Sequence, residues 1–145
     1  MSLFDKQREL YDEVRAHLVT LCPADEPLLG AVVSARAKRF GADLFGIGIT
    51  AERLVLQPLD KRQRPRGEPG WVTKPEIVNC AIWGKGGGFR EWWAEDSEFQ
   101  LRFQTATEHY KFMAVGGWTM AKAMGDDYIA GLEVFAQYLQ SCQPT

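Results

Sequence analysis

A chain of 145 residues, 46% hydrophobic, 12% aromatic and 25% charged, is long enough for one domain with a real core, and its composition excludes a disordered or fibrous polymer. No window approaches the roughly 18 uninterrupted apolar residues that a membrane-spanning helix needs, and the opening MSLFDKQREL lacks the features of a secretory leader, so the expected compartment is the cytoplasm. The net charge of −2 conceals a segregation: residues 36–66 carry a local +5, the remainder −7.

Phe4, Tyr11, Val14, Leu18 and Leu21 recur every three to four residues among charged neighbours, which predicts an amphipathic helix over 3–21 that Pro23 and Pro27 terminate. Residues 28–40 follow, with Ala31, Val33, Ala35 and Ala37 alternating with Val32, Ser34, Arg36 and Lys38, and read as a first strand that is wet at its far end. A turn at Phe40–Asp43 leads into a second strand, where the pattern Gly46-Ile47-Gly48-Ile49 predicts a tight bend or the close approach of another backbone. Thr50-Ala51-Glu52-Arg53 has the polar character of a hairpin connection to a third strand over 54–56, with Arg53 expected to pair with Glu52 or Asp43. The segment 60–70 holds two prolines, two glycines and four cations and must be a solvated loop.

Residues 75–83 read as a fourth strand closed by the turn Gly84-Lys85-Gly86-Gly87-Gly88. That turn is not a phosphate loop, because Phe89-Arg90-Glu91-Trp92 stands where a Lys-Ser/Thr pair opening a helix would be required. Phe99, Leu101 and Phe103 alternate with Gln100, Arg102 and Gln104 to predict a half-buried antiparallel strand, and His109–Val115 returns as its partner. A last helix follows Gly125, with Asp126 and Asp127 near the positive end of its dipole and an apolar stripe of Ile129, Leu132, Phe135, Ala136 and Leu139. Short strands between two terminal helices predict a small curved sheet or barrel plugged by a helix.

No residue set reads as reactive. Cys22, Cys80 and Cys142 are odd in number and far apart, which fits reduced thiols and gives no zinc pattern. His17 and His109 lack a neighbour set for metal binding or a proton relay, and Ser34, Asn79 and Cys80 stand outside any nucleophile motif. Glu95, Asp96 and Glu98 form a solvated charge run. No catalytic residue, metal or cofactor is expected.

The order of parts resembles the pleckstrin-homology-like (PH-like) barrel, in its bacterial PH-like and GRAM-like branch. The resemblance is carried by Phe45-Gly46-Ile47-Gly48-Ile49-Thr50-Ala51-Glu52-Arg53-Leu54-Val55-Leu56 with its T-x-x-R-L turn, the polar loop after Asp60, Pro75-Glu76-Ile77 entering the next strand, the hairpin 99–115 and the C-terminal helix. It implies a mostly β domain over 28–142, with about seven antiparallel strands in two near-orthogonal sheets capped by the last helix, and leaves an N-terminal helix over 1–22 as an addition. It further implies a non-enzymatic binding or scaffolding role.

In lipid-binding members the phosphates are held by cations of the first two strands and of the loops that follow. The matching positions here are Arg36, Lys38 and Arg39 in the first loop and Lys61, Arg62, Arg64 and Arg66 in the second, while the second strand contributes no Lys or Arg. Weak docking on anionic membrane lipid is therefore one expectation. Another is contact with a protein partner or a second copy of the chain through Phe89, Trp92 and Trp93, since adjacent residues on a strand point to opposite faces and one tryptophan would be exposed. Trp71, Trp83 and Trp118 are expected in the core or at the barrel rim. A carrier role using a barrel cavity is a third possibility, and no nucleic-acid contact is expected.

Overall fold

The computed structural model describes residues 3–84, 92–94 and 97–142, apart from the side chains of Leu3 and Phe4. The elements run α1 (Leu3–Leu21), β1 (Gly30–Ala37), β2 (Ala42–Ile49), β3 (Arg53–Leu59), β4 (Gly70–Thr73), β5 (Asn79–Gly84), β6 (Glu98–Gln104), β7 (His109–Val115), α2 (Gly117–Met124) and α3 (Asp126–Ser141). All strand pairings are antiparallel, in the order β4-β3-β2-β1-β7-β6-β5. The mostly β architecture with helices at both ends is as expected, with one correction. The strands form one continuous open sheet rather than two, because Ala35 and Arg36 of β1 pair with Met113 and Phe112 of β7 and join the halves.

Three local differences have plain causes. The expected fourth strand begins late, since Lys74–Glu76 forms a 3-10 turn around Pro75, whose ring nitrogen has no proton to donate to a ladder. An additional strand, β4, precedes that turn; at four residues it is too short to show an alternation. The C-terminal helical region is two helices, broken at Gly125, whose φ of 96° lies outside the helical region.

The glycines of β2 make room for α1. A Cβ on Gly46 would come within 2.7 Å of the Val14 side chain, and one on Gly48 within 2.9 Å of Leu28 and 3.5 Å of Leu18. Where a bend or another backbone was expected at Gly46–Gly48, side chains of α1 and of Leu28 lie on the strand instead. Ile47 and Ile49 alternate with these glycines and are fully buried, so β2 is covered on both faces and its apolar run is explained.

The interior is aromatic and is closed by α3. Phe135 meets Phe112 edge-on at 6.2 Å and Phe103 at 6.4 Å between ring centroids, and Phe45 meets Phe112 at 5.8 Å. Leu132, Phe135, Ala136 and Leu139, four members of the predicted stripe, are buried in this contact, whereas Ile129 is only partly covered. Two tyrosines tie the helices to β1: the Tyr11 hydroxyl donates to the Ala31 carbonyl at 2.7 Å, the Tyr128 hydroxyl to that of Val33 at 3.2 Å, and the two rings meet at 5.6 Å. Burial pushes the Tyr128 phenol up to about 12. These side chains fill the described interior.

Helix α3 passes so close to β1 that a Cβ on Gly131 would lie 2.2 Å from the Ala31 carbonyl oxygen. Alanine is the better helix former by about 1 kcal/mol, but the obstructing atoms are backbone and cannot rotate away, so the clash decides the sign. Gly131→Ala is expected to destabilise the fold by about 1–3 kcal/mol in urea titration. Gly70→Ala, where a Cβ meets nothing within 4 Å, serves as the control and should change stability by less than about 0.5 kcal/mol.

Candidate functional site

The strands β1 to β4 form a meander, so the β1–β2 turn and the β3–β4 loop emerge at the same end of the sheet, and most of the surplus positive charge is carried there. The turn is tight. Lys38 N–H donates to the Gly41 carbonyl at 3.2 Å, and Gly41 has a φ of 85°, a conformation that costs residues with a Cβ about 1–2 kcal/mol. The Lys38 ammonium donates to Asp43 Oδ1 at 2.9 Å across the turn.

Loop β3–β4 is built on its own first residue. The Asp60 carboxylate accepts the N–H of Arg62 at 2.8 Å and of Arg64 at 3.0 Å, and Asp60 N–H donates to the Arg64 carbonyl at 2.9 Å. The Arg64 amide first and the Arg62 amide after it hold the Asp60 carboxyl below the usual carboxylate range. Asp43 lies within electrostatic reach of both segments. Its carboxyl is lowered mainly by the hydrogen bond from Lys38, with smaller attractions from Lys38, Arg66 and Arg36.

The seven cations are not equivalent. Arg36 is engaged with the β6–β7 turn: it donates to Glu108 Oε2 at 3.1 Å and the His109 carbonyl at 2.7 Å, and its guanidinium lies 4.2 Å from the Tyr110 ring centroid. Lys38 is paired with Asp43. Among the described residues, Arg39, Lys61, Arg62, Arg64 and Arg66 form no ion pair with a carboxylate. Arg39 instead lies 5.4 Å from the ring of Phe40, which is 80% exposed at the apex of the turn. Phe40 was missed as a site residue because in sequence it marks only the end of a strand. The available signal was a bulky apolar residue between a run of cations and Gly41.

The aromatic expectations need correction. Trp92 and Trp93 are both buried, and neither offers a ring to a partner. They sit in a 3-10 turn, Trp92–Ala94, where successive side chains do not alternate between two faces as on a strand. Gly84 makes room for the Trp92 ring, 2.5 Å from where a Cβ would stand, and Gly116 lies as close to the carbonyls of Trp92 and Trp93. Phe89, Glu95, Asp96 and the 85–88 turn lie outside the described residues. Trp71, Trp83 and Trp118 are exposed rather than core residues, with Arg102 5.5 Å from the Trp83 ring and Lys122 3.9 Å from that of Trp118.

Arg53 pairs with neither expected partner. Its Nε donates to Glu26 Oε1 at 3.2 Å, within ion-pair distance of Oε2 as well, and so ties the β2–β3 hairpin to the segment after α1. None of the three cysteines is joined in a disulfide, as expected. Among the described residues no helix is long and apolar enough to cross a membrane, and no group of three His, Cys, Asp or Glu side chains is placed to hold a metal ion.

No protein-family model matches the chain, and no curated protein matches it. Among solved structures, the hSac2 domain from human phosphoinositide phosphatase Sac2 superposes with a TM-score of 0.50 at 11% identity, covering 94% of this chain and 81% of that one. The C-terminal domain of an unknown protein from Leishmania infantum gives 0.43 at 13% identity, covering 91% and 94%. At such identity the first likeness concerns the fold alone, and that fold is PH-like.

If the two basic segments converge, Asp43 reports it. Its carboxyl titration, followed by NMR, is expected to move up toward the ordinary range in Lys38→Gln and by a smaller step in Arg66→Gln. An unaltered titration in Arg66→Gln would mean that the β3–β4 loop does not reach the β1–β2 turn.

Proposed function

We propose that this chain is a non-enzymatic PH-like binding domain that docks on anionic membrane surfaces through the basic end of its sheet. The observation that supports the reading is Phe40, a bare phenyl ring at the tip of a turn, next to Arg39 and on the same end as the four cations of the β3–β4 loop. Solvated cations need no such ring, whereas a bilayer interface accepts an apolar side chain and a cationic surround together. Each cation near an anionic leaflet is worth about 1 kcal/mol. Transfer of the phenyl ring adds at most about 1.5–3 kcal/mol.

β2 carries no Lys or Arg, so the reading is one of surface charge with an apolar wedge rather than selective headgroup recognition. Placement in the bacterial PH-like and GRAM-like branch rests on the hairpin motif around Thr50–Leu54. The test is flotation with phosphatidylserine-containing and neutral vesicles. Binding is expected to the anionic vesicles at low salt and to weaken as salt rises. Phe40→Ser and Lys61→Glu/Arg62→Glu should each weaken it by about tenfold. Failure of the wild type to float with anionic vesicles at low salt removes the reading.

A second reading, self-association or a protein contact at the sheet edge, is favoured by a different residue from those the sequence pointed to. Trp83 is 50% exposed on β5, an edge strand of six residues without a charge or a proline. Sedimentation velocity is expected to show a concentration-dependent dimer that Trp83→Ser shifts to monomer; a wild type that stays monomeric at high concentration rules out self-association.

A further inference from the structure

Gln57 is a polar side chain almost wholly withdrawn from water, only 1% exposed, among the apolar residues Leu54 to Leu59 of its strand. Its carboxamide is fully engaged. Nε2 donates to the Pro58 carbonyl at 3.0 Å and to the Gly67 carbonyl at 3.2 Å, and Oε1 lies 2.9 Å from Nε2 of His17 on α1. Both amide protons go to carbonyls, so the oxygen must accept, and His17 must carry its proton on Nε2. A protonated His17 keeps that proton, so the bond is compatible with either charge state of the ring.

Gly67 lies at the exit of the basic loop. Its φ is 78°, and a Cβ there would meet nothing within 4 Å, so the backbone conformation rather than space calls for glycine. One residue earlier, Arg66 N–H donates to the same Pro58 carbonyl that Gln57 holds, at 2.8 Å. A second link joins the loop to the helix: Gln63, in the left-handed region at φ 61°, donates from Nε2 to Gln7 Oε1 at 3.4 Å. Lys6, Gln7 and Leu10 of α1 then form one wall of a groove of about 530 Å³ whose other wall is the loop from Lys61 to Arg64.

We propose that α1 is the platform that holds the cationic β3–β4 loop in its binding shape, with Gln57 as the positioning residue that joins the helix to the loop exit. The proposal rests on the reading of the basic end as an anionic-surface site, but its core, that the helix orders the loop through Gln57, is measurable without a membrane. Ordering the loop before contact removes part of the conformational cost of binding.

The test pairs NMR hydrogen exchange with vesicle affinity, in Gln57→Met, which keeps the length and apolar stem but has no donors, and in His17→Ala. Amide exchange at Arg62, Arg64 and Arg66 is expected to accelerate by about tenfold or more in each variant, with exchange at Ile47 and Val55 unchanged. Affinity for phosphatidylserine vesicles is expected to fall about three- to tenfold while the charge at the loop is untouched. Unchanged exchange at the three arginines in a folded variant overturns the proposal, as does full vesicle affinity alongside a loosened loop. Should Gln57→Met fail to fold, His17→Ala, a good helix former at a partly exposed site, carries both measurements. A wild type that ignores anionic vesicles but loses loop protection in these variants would overturn the surface reading and leave the platform standing.

Discussion

A strip of β2 without side chains is the constraint on which the rest of the molecule depends. Val14 and Leu18 can sit against Gly46 and Gly48 only because no Cβ is in the way, and that closeness brings the helix axis near enough for His17 to reach a side chain of the next strand. The reached residue, Gln57, is the cross-strand partner of Gly46. The bare position and the long polar one are therefore two halves of a single arrangement. A larger residue at 46 would lift α1 off the sheet, and the buried carboxamide would lose its acceptor contact while remaining out of water, which is the costly way to break a hydrogen bond.

The same logic recurs where α3 meets β1 and where Trp92 meets β5. Gly131 of α3 lies against the Ala31 backbone of β1 and Gly84 of β5 under the Trp92 ring, so each close contact is made possible by a glycine on one side of it. This explains which parts of the fold were legible in sequence. Alternation in 99–115 and helical spacing in α1 and α3 are local properties, visible along the chain, and those elements stand where the pattern placed them. Glycine seats are pairwise properties. In sequence Gly46 and Gly48 show that something approaches, but not what, and Gly84 looks like the start of a flexible turn until the Trp92 ring it accommodates is in place.

The tryptophans illustrate the limit. Adjacent aromatic residues point to opposite faces on a strand, and that premise placed one of Trp92 and Trp93 in water; in a tight 3-10 turn the premise fails and both rings go inward. Trp71 and Trp83, expected in the core or at the barrel rim, belong to the two edge strands, where a strand has a neighbour on one side only. Arg102 spans part of the Trp83 ring, which is how an isolated exposed indole is commonly made compatible with water. The edge positions of β4 and β5 follow from long-range strand order, which no local pattern encodes.

At the basic end, the local acids are used as structure rather than as neutralisers. Asp60 spends its carboxylate on the backbone amides of Arg62 and Arg64, leaving their guanidinium groups unpaired among the described residues. Asp43 and Glu108 are bonded to Lys38 and Arg36, the cations nearest the strands, and so shape the turn ends without reaching the outer charges. The positive charge of the segment is therefore carried on Arg39, Lys61, Arg62, Arg64 and Arg66, against which the loop sets only Glu68 besides Asp60. With a screening length of about 8 Å at physiological salt, a contact made at the loops is governed by the charges close to it. On the proposed reading, this local surplus acts on approach as well as on contact: at low salt the field of the cations turns the basic end toward an anionic surface before any side chain touches it.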